Sequence, residues 1–374
     1  MSGTPRTRIA IIGGGSGGHV YPALAVAMEL RALCEEVEVW LATGRKPVEK
    51  EWTAGTEPEP VRLFSAPVPY GLRPLALARA VGAAGAGTLQ TLSWWWRWHP
   101  QAMLTFGGYV SVPAALAARA ARVPYAYHAA DALPDRSART LARRARLVTV
   151  NYPEAAEAFP GVTVEAVGQP LRQWLFGTSR EEAAQALGLD PERTTLVVLG
   201  GSQGAHSLNQ AAAAAGPRLL RESEIQVLHV TGSLDYREVC DGLAEARIPA
   251  DRYRVLSFLR EMDQALALAD IALTRCGANS LAELAVAGAA LIMVPYPYAG
   301  GHQRYNAEPL QRVGAGVIVE DVDLTANRLA EETLSLVRDE NLRHVRAEAA
   351  RRWAKPDAAC KVAELTLRIA GEKP

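Results

Sequence analysis

IAIIGGGSGGH, at residues 9–19, is an apolar run followed by a cluster of glycines and a histidine. Consecutive apolar residues bounded by glycines read as a buried strand entering a tight turn, and the residues after the turn carry helical periodicity. The signature returns half a chain later as LVVLGGSQGAH, at residues 196–206. Around the two copies, short β-rich runs alternate with longer helical stretches. Strands are expected at 9–12, 37–41, 103–106, 125–128 and 147–150, then at 195–199, 225–230, 254–256, 271–274 and 291–294. Such alternation predicts an α/β protein built from two doubly wound, Rossmann-like domains, each sheet parallel with helices on both faces. In such sheets ligands bind beyond the carboxyl ends of the strands, where both glycine turns fall. The turn residues of GQPLR, at 168–172, set the boundary. This gives domains at 1–168 and 169–350 and a C-terminal helix within 351–374 that can pack back on the N-terminal domain.

At 374 residues the chain exceeds what one core usually organises. With 49% hydrophobic and 21% charged residues it is an ordinary globular composition. Forty basic and forty acidic residues cancel, so no global basic field favours nucleic acid. Cys34, Cys240, Cys276 and Cys360 form no CxxC pair, which argues against a zinc site or a disulfide framework and fits a reducing cytoplasm. Glycines and other breakers interrupt every long uncharged stretch, so no spanning helix is expected.

In the first turn, glycines let a ligand approach the backbone, and a helix opened by Pro22 aims its amides at negative charge. Gly13, Gly15 and Gly18 also satisfy GxGxxG, the mark of a dinucleotide oxidoreductase. The acidic residue expected after the second strand is missing, since that strand runs into Ala42, Thr43 and Gly44. His19, directly after the turn, is a general-base candidate; the plain alternative is a histidine bonded to backbone at a helix start. In the second half a strand ends at Thr274 and a helix opening at Ser280 suits a diphosphate. Glu283 either completes a capping box with Ser280 or accepts hydrogen bonds from both ribose hydroxyls. Arg275 is a cation for the diphosphate or an ordinary ion-pair partner. His302, Gln303 and Asn306, in GGHQRYN, are polar groups suited to a sugar. Asp321-Val322-Asp323 resembles a metal-binding DxD but reads better as a helix cap.

GGGSGGHVYPALAVA, GGYVS (107–111), GQPLR, GGSQGAHSLN, RCGANSLAE and GGHQRYNA stand in the order and approximate spacing of the MurG family. The chain resembles that family over nearly its whole length. The resemblance implies a GT-B fold, two Rossmann-like domains facing each other across a cleft. It implies an inverting, metal-independent transfer of GlcNAc from UDP-GlcNAc to lipid I, with no cofactor. By it, Ser16, Gly17 and Gly18 face the diphosphate and acceptor, His19 is the base candidate, and Asp131 is its reserve and a further substrate contact. Arg172 and Ser202 would hold the diphosphate, and Phe258 and Leu259 would pack on uracil. Ala278, Asn279 and Ser280 would meet phosphate, Glu283 would hold the ribose, and His302 and Gln303 the GlcNAc. Gly107, Gly108 and Tyr109 would serve the acceptor. Helix N-termini supply the fixed positive dipoles that a departing diphosphate needs.

Two features stand apart. Between Glu59 and Asp131 there is no acidic residue, while Arg62, Arg73, Arg79, Arg97, Arg119 and Arg122 lie there with Leu72, Leu75, Leu77, Val81, Trp94, Trp95, Trp96 and Trp98. This pattern suits peripheral docking on the cytoplasmic face of an anionic membrane, with Leu72, Leu75, Trp94 and Trp98 as contacts; the alternative is that the tryptophans fill the core. The family has His-Glu-Gln-Asn where this chain reads His128-Ala129-Ala130-Asp131, and Ser at Cys276. A related transferase with another glycolipid acceptor, or a membrane scaffold that keeps UDP binding, therefore stays open.

Overall fold

The computed structural model describes residues 7–56, 59–67, 74–201, 204–298 and 301–371. The chain divides into two compact units, Met1–Arg172 with Pro356–Pro374, and Gln173–Lys355. The expected contacts Leu72 and Ser202 lie outside the described residues.

The first unit is a parallel sheet of β1 (Thr7–Ile12), β2 (Val37–Thr43), β3 (Val61–Arg62), β4 (Ala102–Thr105), β5 (Tyr125–Ala129), β6 (Leu147–Val150) and β7 (Val164–Ala166). Its spatial order is β3-β2-β1-β4-β5-β6-β7. The helices between are α1 (Gly17–Leu33), α2 (Pro47–Trp52), α3 (Pro74–Trp98), α4 (Ser111–Ala121) and α5 (Arg136–Ala142). The second unit contains α6 (Arg180–Leu187), β8 (Thr195–Leu199), α7 (His206–Glu222), β9 (Gln226–Val230), α8 (Tyr236–Glu245), β10 (Tyr253–Leu256) and α9 (Met262–Leu268). It continues with β11 (Ile271–Arg275), α10 (Ala278–Ala287), β12 (Ala290–Val294), α11 (His302–Arg312), β13 (Gly316–Ile318), α12 (Ala326–Arg338) and α13 (Glu340–Trp353). Its six parallel strands lie in the order β10-β9-β8-β11-β12-β13. The last helix, α14 (Ala358–Gly371), packs on α1 and the sheet of the first unit.

Strand periodicity explains both cores. Ile9 and Ile11 of β1 face α1 and α14, while Ala10 and Ile12 face α3 and α4. In β8, Val197 and Leu199 pack toward α6, α9, α10 and α13, and Leu196 and Val198 toward α7 and α12. Strand order reverses between β1 and β4 in one unit and between β8 and β11 in the other. Each reversal opens a crevice at the carboxyl ends, beside the glycine turn of that unit.

Several local expectations are corrected. α1 begins at Gly17, so Pro22 lies inside it and removes the bond that would close on the Gly18 carbonyl. α10 begins at Ala278 with Gly277 as its N-cap, so Ser280 is the third helical residue and no capping box forms with Glu283. Asp321–Asp323 is a short 3-10 turn, and the cap of α12 is Thr325, whose hydroxyl accepts from the Arg328 amide. Trp94, Trp95 and Trp98 surround Trp40, with ring centroids 5.5, 6.3 and 6.3 Å away. Trp95 is buried and Trp98 half-buried, whereas Trp94, 40% exposed, and Trp96, 79% exposed, reach the surface of α3.

Candidate active site

In the first unit, the turn after β1 and the loop after β4 meet around His19. Gly108 adopts φ +75°, and a Cβ there would stand 2.3 Å from the Gly14 carbonyl oxygen and 3.0 Å from His19 Nδ1. Only glycine lets the two loops approach this closely. His19 Nδ1 lies 3.1 Å from the Gly14 carbonyl oxygen and 3.1 Å from Ser16 Oγ. A carbonyl can only accept, so Nδ1 carries the proton and Nε2 is left as an acceptor on the side of Gly107. Burial pushes the His19 imidazole below its usual range, against the pull of the Asp131 carboxylate and the Gly14 carbonyl. A neutral ring with an open Nε2 is the form a general base requires.

Other expected residues gather here. Ser16 occupies the N-cap position of α1, with Gly17 and Gly18 in its first turn. The ring of Tyr109 lies against Gly15, which adopts φ +96°. Tyr109 donates to Glu49 Oε1 at 3.0 Å, and burial followed by the Glu49 carboxylate pushes its hydroxyl above the usual range. Arg172, at the end of this unit, stacks its guanidinium 4.1 Å over Tyr21 of α1. Ala129 is buried, and the Ala130 carbonyl accepts from Asn151 Nδ2 at 3.1 Å. Beneath them His128 is buried, with Nδ1 3.0 Å from Thr149 Oγ1 and Nε2 3.2 Å from Gln169 Oε1, which ties the GQPLR segment to this unit.

In the second unit, β11 and β12 deliver their loops to the first turns of α10 and α11. Ala278, Asn279 and Ser280 are the first three residues of α10, where backbone amides lack intrahelical acceptors. Glu283, half-buried, follows one turn later on the face of Ser280. His302 and Gln303 open α11. Gln303 Oε1 accepts from the Cys276 and Tyr296 amides, both at 3.0 Å, clamping the two loops together and leaving Nε2 as its remaining donor. Asn306, buried, donates to the Cys276 carbonyl at 3.1 Å. Phe258 is 60% exposed after β10, as a base-stacking ring must be, whereas Leu259 is buried in the core and offers only its backbone.

Arg275 is committed within the unit. It pairs with Asp321 Oδ1 at 2.6 Å and donates to Ser207 Oγ at 2.8 Å, the contacts of the ion-pair reading. Burial raises the Cys276 thiol far above its usual range, which leaves it unreactive. Glu49 and Lys46 were not legible in the sequence: each is a charged residue in a polar stretch, and Tyr109 and Gly15, which they contact, are distant in sequence. Asp321 stood out only as part of Asp321-Val322-Asp323, not as the partner of Arg275.

Two parallel-sheet units, each with a glycine turn at its switch point, are the GT-B architecture, and the family matches make the chain a glycosyltransferase. Residues 9–150 match the glycosyltransferase family 28 N-terminal domain and residues 195–362 the family 28 C-terminal domain. Over 371 residues the chain is 37% identical to the UDP-N-acetylglucosamine--N-acetylmuramyl-(pentapeptide) pyrophosphoryl-undecaprenol N-acetylglucosamine transferase of Desulfitobacterium hafniense (strain Y51), covering 97% of this chain and 99% of that one. A protein of the same name from Frankia casuarinae is 38% identical over 94% of this chain and 90% of its own. The crystal structure of Acinetobacter baumannii MurG matches with a TM-score of 0.72 at 25% identity, over 97% of this chain and 99% of that one. The chain belongs to the MurG family of glycosyltransferases.

Proposed function

We propose that this chain transfers N-acetylglucosamine from UDP-GlcNAc to the muramyl 4-hydroxyl of lipid I, giving lipid II for peptidoglycan synthesis, with inversion at the anomeric carbon. The observation that carries the mechanism is His19, neutral, with Nδ1–H held by the Gly14 carbonyl and Nε2 open. Nε2 takes the proton of the acceptor hydroxyl as that oxygen bonds to the anomeric carbon. The bond from that carbon to the UDP oxygen breaks, and UDP leaves with the electron pair. Asp131, whose charge opposes the burial of His19, stabilises the imidazolium that forms.

The second unit binds the donor. The first turn of α10 meets the diphosphate, Glu283 accepts from the ribose, Phe258 covers uracil, and His302 with Gln303 Nε2 meets the GlcNAc. Fixed helix dipoles take up the charge of the departing diphosphate, so no metal is required. Gly107, Gly108 and Tyr109 frame the acceptor. The relatives' names specify a pyrophosphoryl-undecaprenol acceptor. Among the described residues no helix is long and apolar enough to cross a membrane. Attachment is peripheral, at the cytoplasmic face, through α3, where Leu75, Val81, Leu89 and Trp96 are each at least 65% exposed beside Arg79 and Arg97.

The test is purified protein with UDP-GlcNAc and a lipid I analogue in EDTA. Release of UDP with formation of a β-linked disaccharide lipid is expected. UDP binding without transfer would favour another glycolipid acceptor or a scaffold, with Ala129-Ala130 as the first suspect. Full activity in His19→Ala but none in Asp131→Ala would move the base to Asp131.

A further inference from the structure

Glu49 of α2 is fully buried. Its Oε2 accepts from the Gly44 amide at 2.6 Å and its Oε1 from the Tyr109 hydroxyl at 3.0 Å. Among the described residues no Lys, Arg or His forms an ion pair with this carboxylate. A buried charge held by two neutral donors is costly, and an apolar side chain of similar size often serves stability as well or better. Stability alone gives no reason for an acid here.

Its surroundings give one. The carboxylate packs so close to Gly14 and Gly44 that a Cβ on either would stand within 2.9 Å of a Glu49 oxygen. Gly14 is the residue whose carbonyl holds His19 Nδ1. Tyr109, tethered by Glu49, lies against Gly15, whose carbonyl accepts from Lys46 Nζ at 3.1 Å while that ammonium sits 5.1 Å over the Tyr109 ring. One carboxylate thus ties the end of β2, the turn after β1 and the loop after β4 at the point where His19 is oriented.

We infer that Glu49 is a positioning residue for the proton transfer: bound to the Tyr109 hydroxyl and the Gly44 amide, its carboxylate locks the first glycine turn so that the Gly14 carbonyl keeps His19 in the tautomer of a base. The inference rests on the reading of His19 as that base. Glu49→Gln keeps the tether, because its oxygen still accepts from Gly44 and its NH2 donates to the Tyr109 oxygen. Glu49→Ala removes it.

The experiment measures kcat with UDP-GlcNAc and a lipid I analogue for Glu49→Ala, Glu49→Gln, His19→Ala and the double variant Glu49→Ala/His19→Ala, with UDP affinity and thermal midpoint alongside. Expected are a loss of about 30-fold in kcat for Glu49→Ala with UDP affinity unchanged, recovery to within about 5-fold of wild type for Glu49→Gln, and less than about 3-fold further loss when Glu49→Ala is added to His19→Ala, since residues acting as a unit are non-additive. Equal losses in both backgrounds, or a lowered thermal midpoint with unchanged kcat, would overturn the inference and leave His19 as the base. Wild-type turnover in His19→Ala would instead remove the base reading itself. If Glu49→Ala does not fold, Tyr109→Phe takes its place in the same cycle, with about 5-fold expected in the wild-type background and none in His19→Ala; 5-fold in both overturns the inference.

Discussion

The two glycine turns begin alike and end differently. In both, a histidine stands ten residues after the start of the quoted motif, at His19 and His206. In the first unit the helix opens at Gly17, so His19 is its third residue and turns back onto the Gly14 carbonyl. In the second the helix opens at His206 itself, and the side chain, 68% exposed, reaches Asp235 at 3.2 Å. Asp235 also accepts from Asn209, whose side-chain oxygen lies 2.9 Å from buried His229 Nε2. A shift of two residues in where a helix starts separates a histidine turned back onto the glycine turn from the outer end of a structural hydrogen-bond chain. Equal spacing in sequence does not give equal chemistry.

The largest expected effect tests where the units are alike, in the histidines buried behind each turn. Burial holds His128 down to about 4 and His229 down to about 3. Below pH 6.5 the unfolded chain takes up protons that these folded rings refuse, so stability is full above 6.5 and is lost as pH falls toward 4. Each histidine should cost about 3 kcal/mol by pH 4, which urea unfolding at pH 7, 5.5 and 4.5 will show. A flat profile would mean that neither ring is buried neutral. Next, His19→Ala should slow turnover by about 100-fold while UDP binding persists, and His206→Ala should change it by less than about 3-fold. Comparable losses in steady-state assays would erase the contrast between the turns. Glu283→Ala should weaken UDP-GlcNAc binding by about 1 to 3 kcal/mol by calorimetry, and an unchanged affinity removes Glu283 from the donor cluster. The smallest effect on stability is expected from Trp96→Ala with Leu75→Ala, within about 0.5 kcal/mol, as for exposed positions generally. The same variant should co-sediment with anionic vesicles markedly less than wild type at low salt, and undiminished binding would move the docking face off α3.

Elements with a strong period were legible before the structure. The ten strands read from the sequence are present within one or two residues, because a parallel strand buried on both faces is an unbroken apolar run. β3, β7 and β13 are absent from those ten because they are edge strands of only two or three residues with largely half-buried patterns. Helix starts were less legible: Ser280 and Pro22 are good start residues, yet Gly277 and Ser16 occupy the N-cap positions, neither with a capping side-chain hydrogen bond. Which tryptophans of WWWRW reach the surface depends on Trp40, more than fifty residues earlier, and no local pattern contains that contact. His19 could be singled out from its place after the turn. Burial keeps the ring neutral, and the tautomer that leaves Nε2 as acceptor comes from the Gly14 carbonyl, which only the close approach of the two loops at Gly108 brings to it.

The first unit is discontinuous in the chain. Val362, Ala363, Leu365 and Ile369 of α14 belong to the same core as Ile9, Ile11 and Val20, although all of Gln173–Lys355 intervenes. During synthesis the second unit leaves the ribosome with every residue of its core, whereas the first must wait with one face of its sheet uncovered until the last helix emerges. The part of the protein that carries His19 is therefore the last to be completed. Its Ile, Val and Leu surface stays exposed during that interval, and a message truncated before Ala358 would yield a complete second unit attached to an incomplete first one.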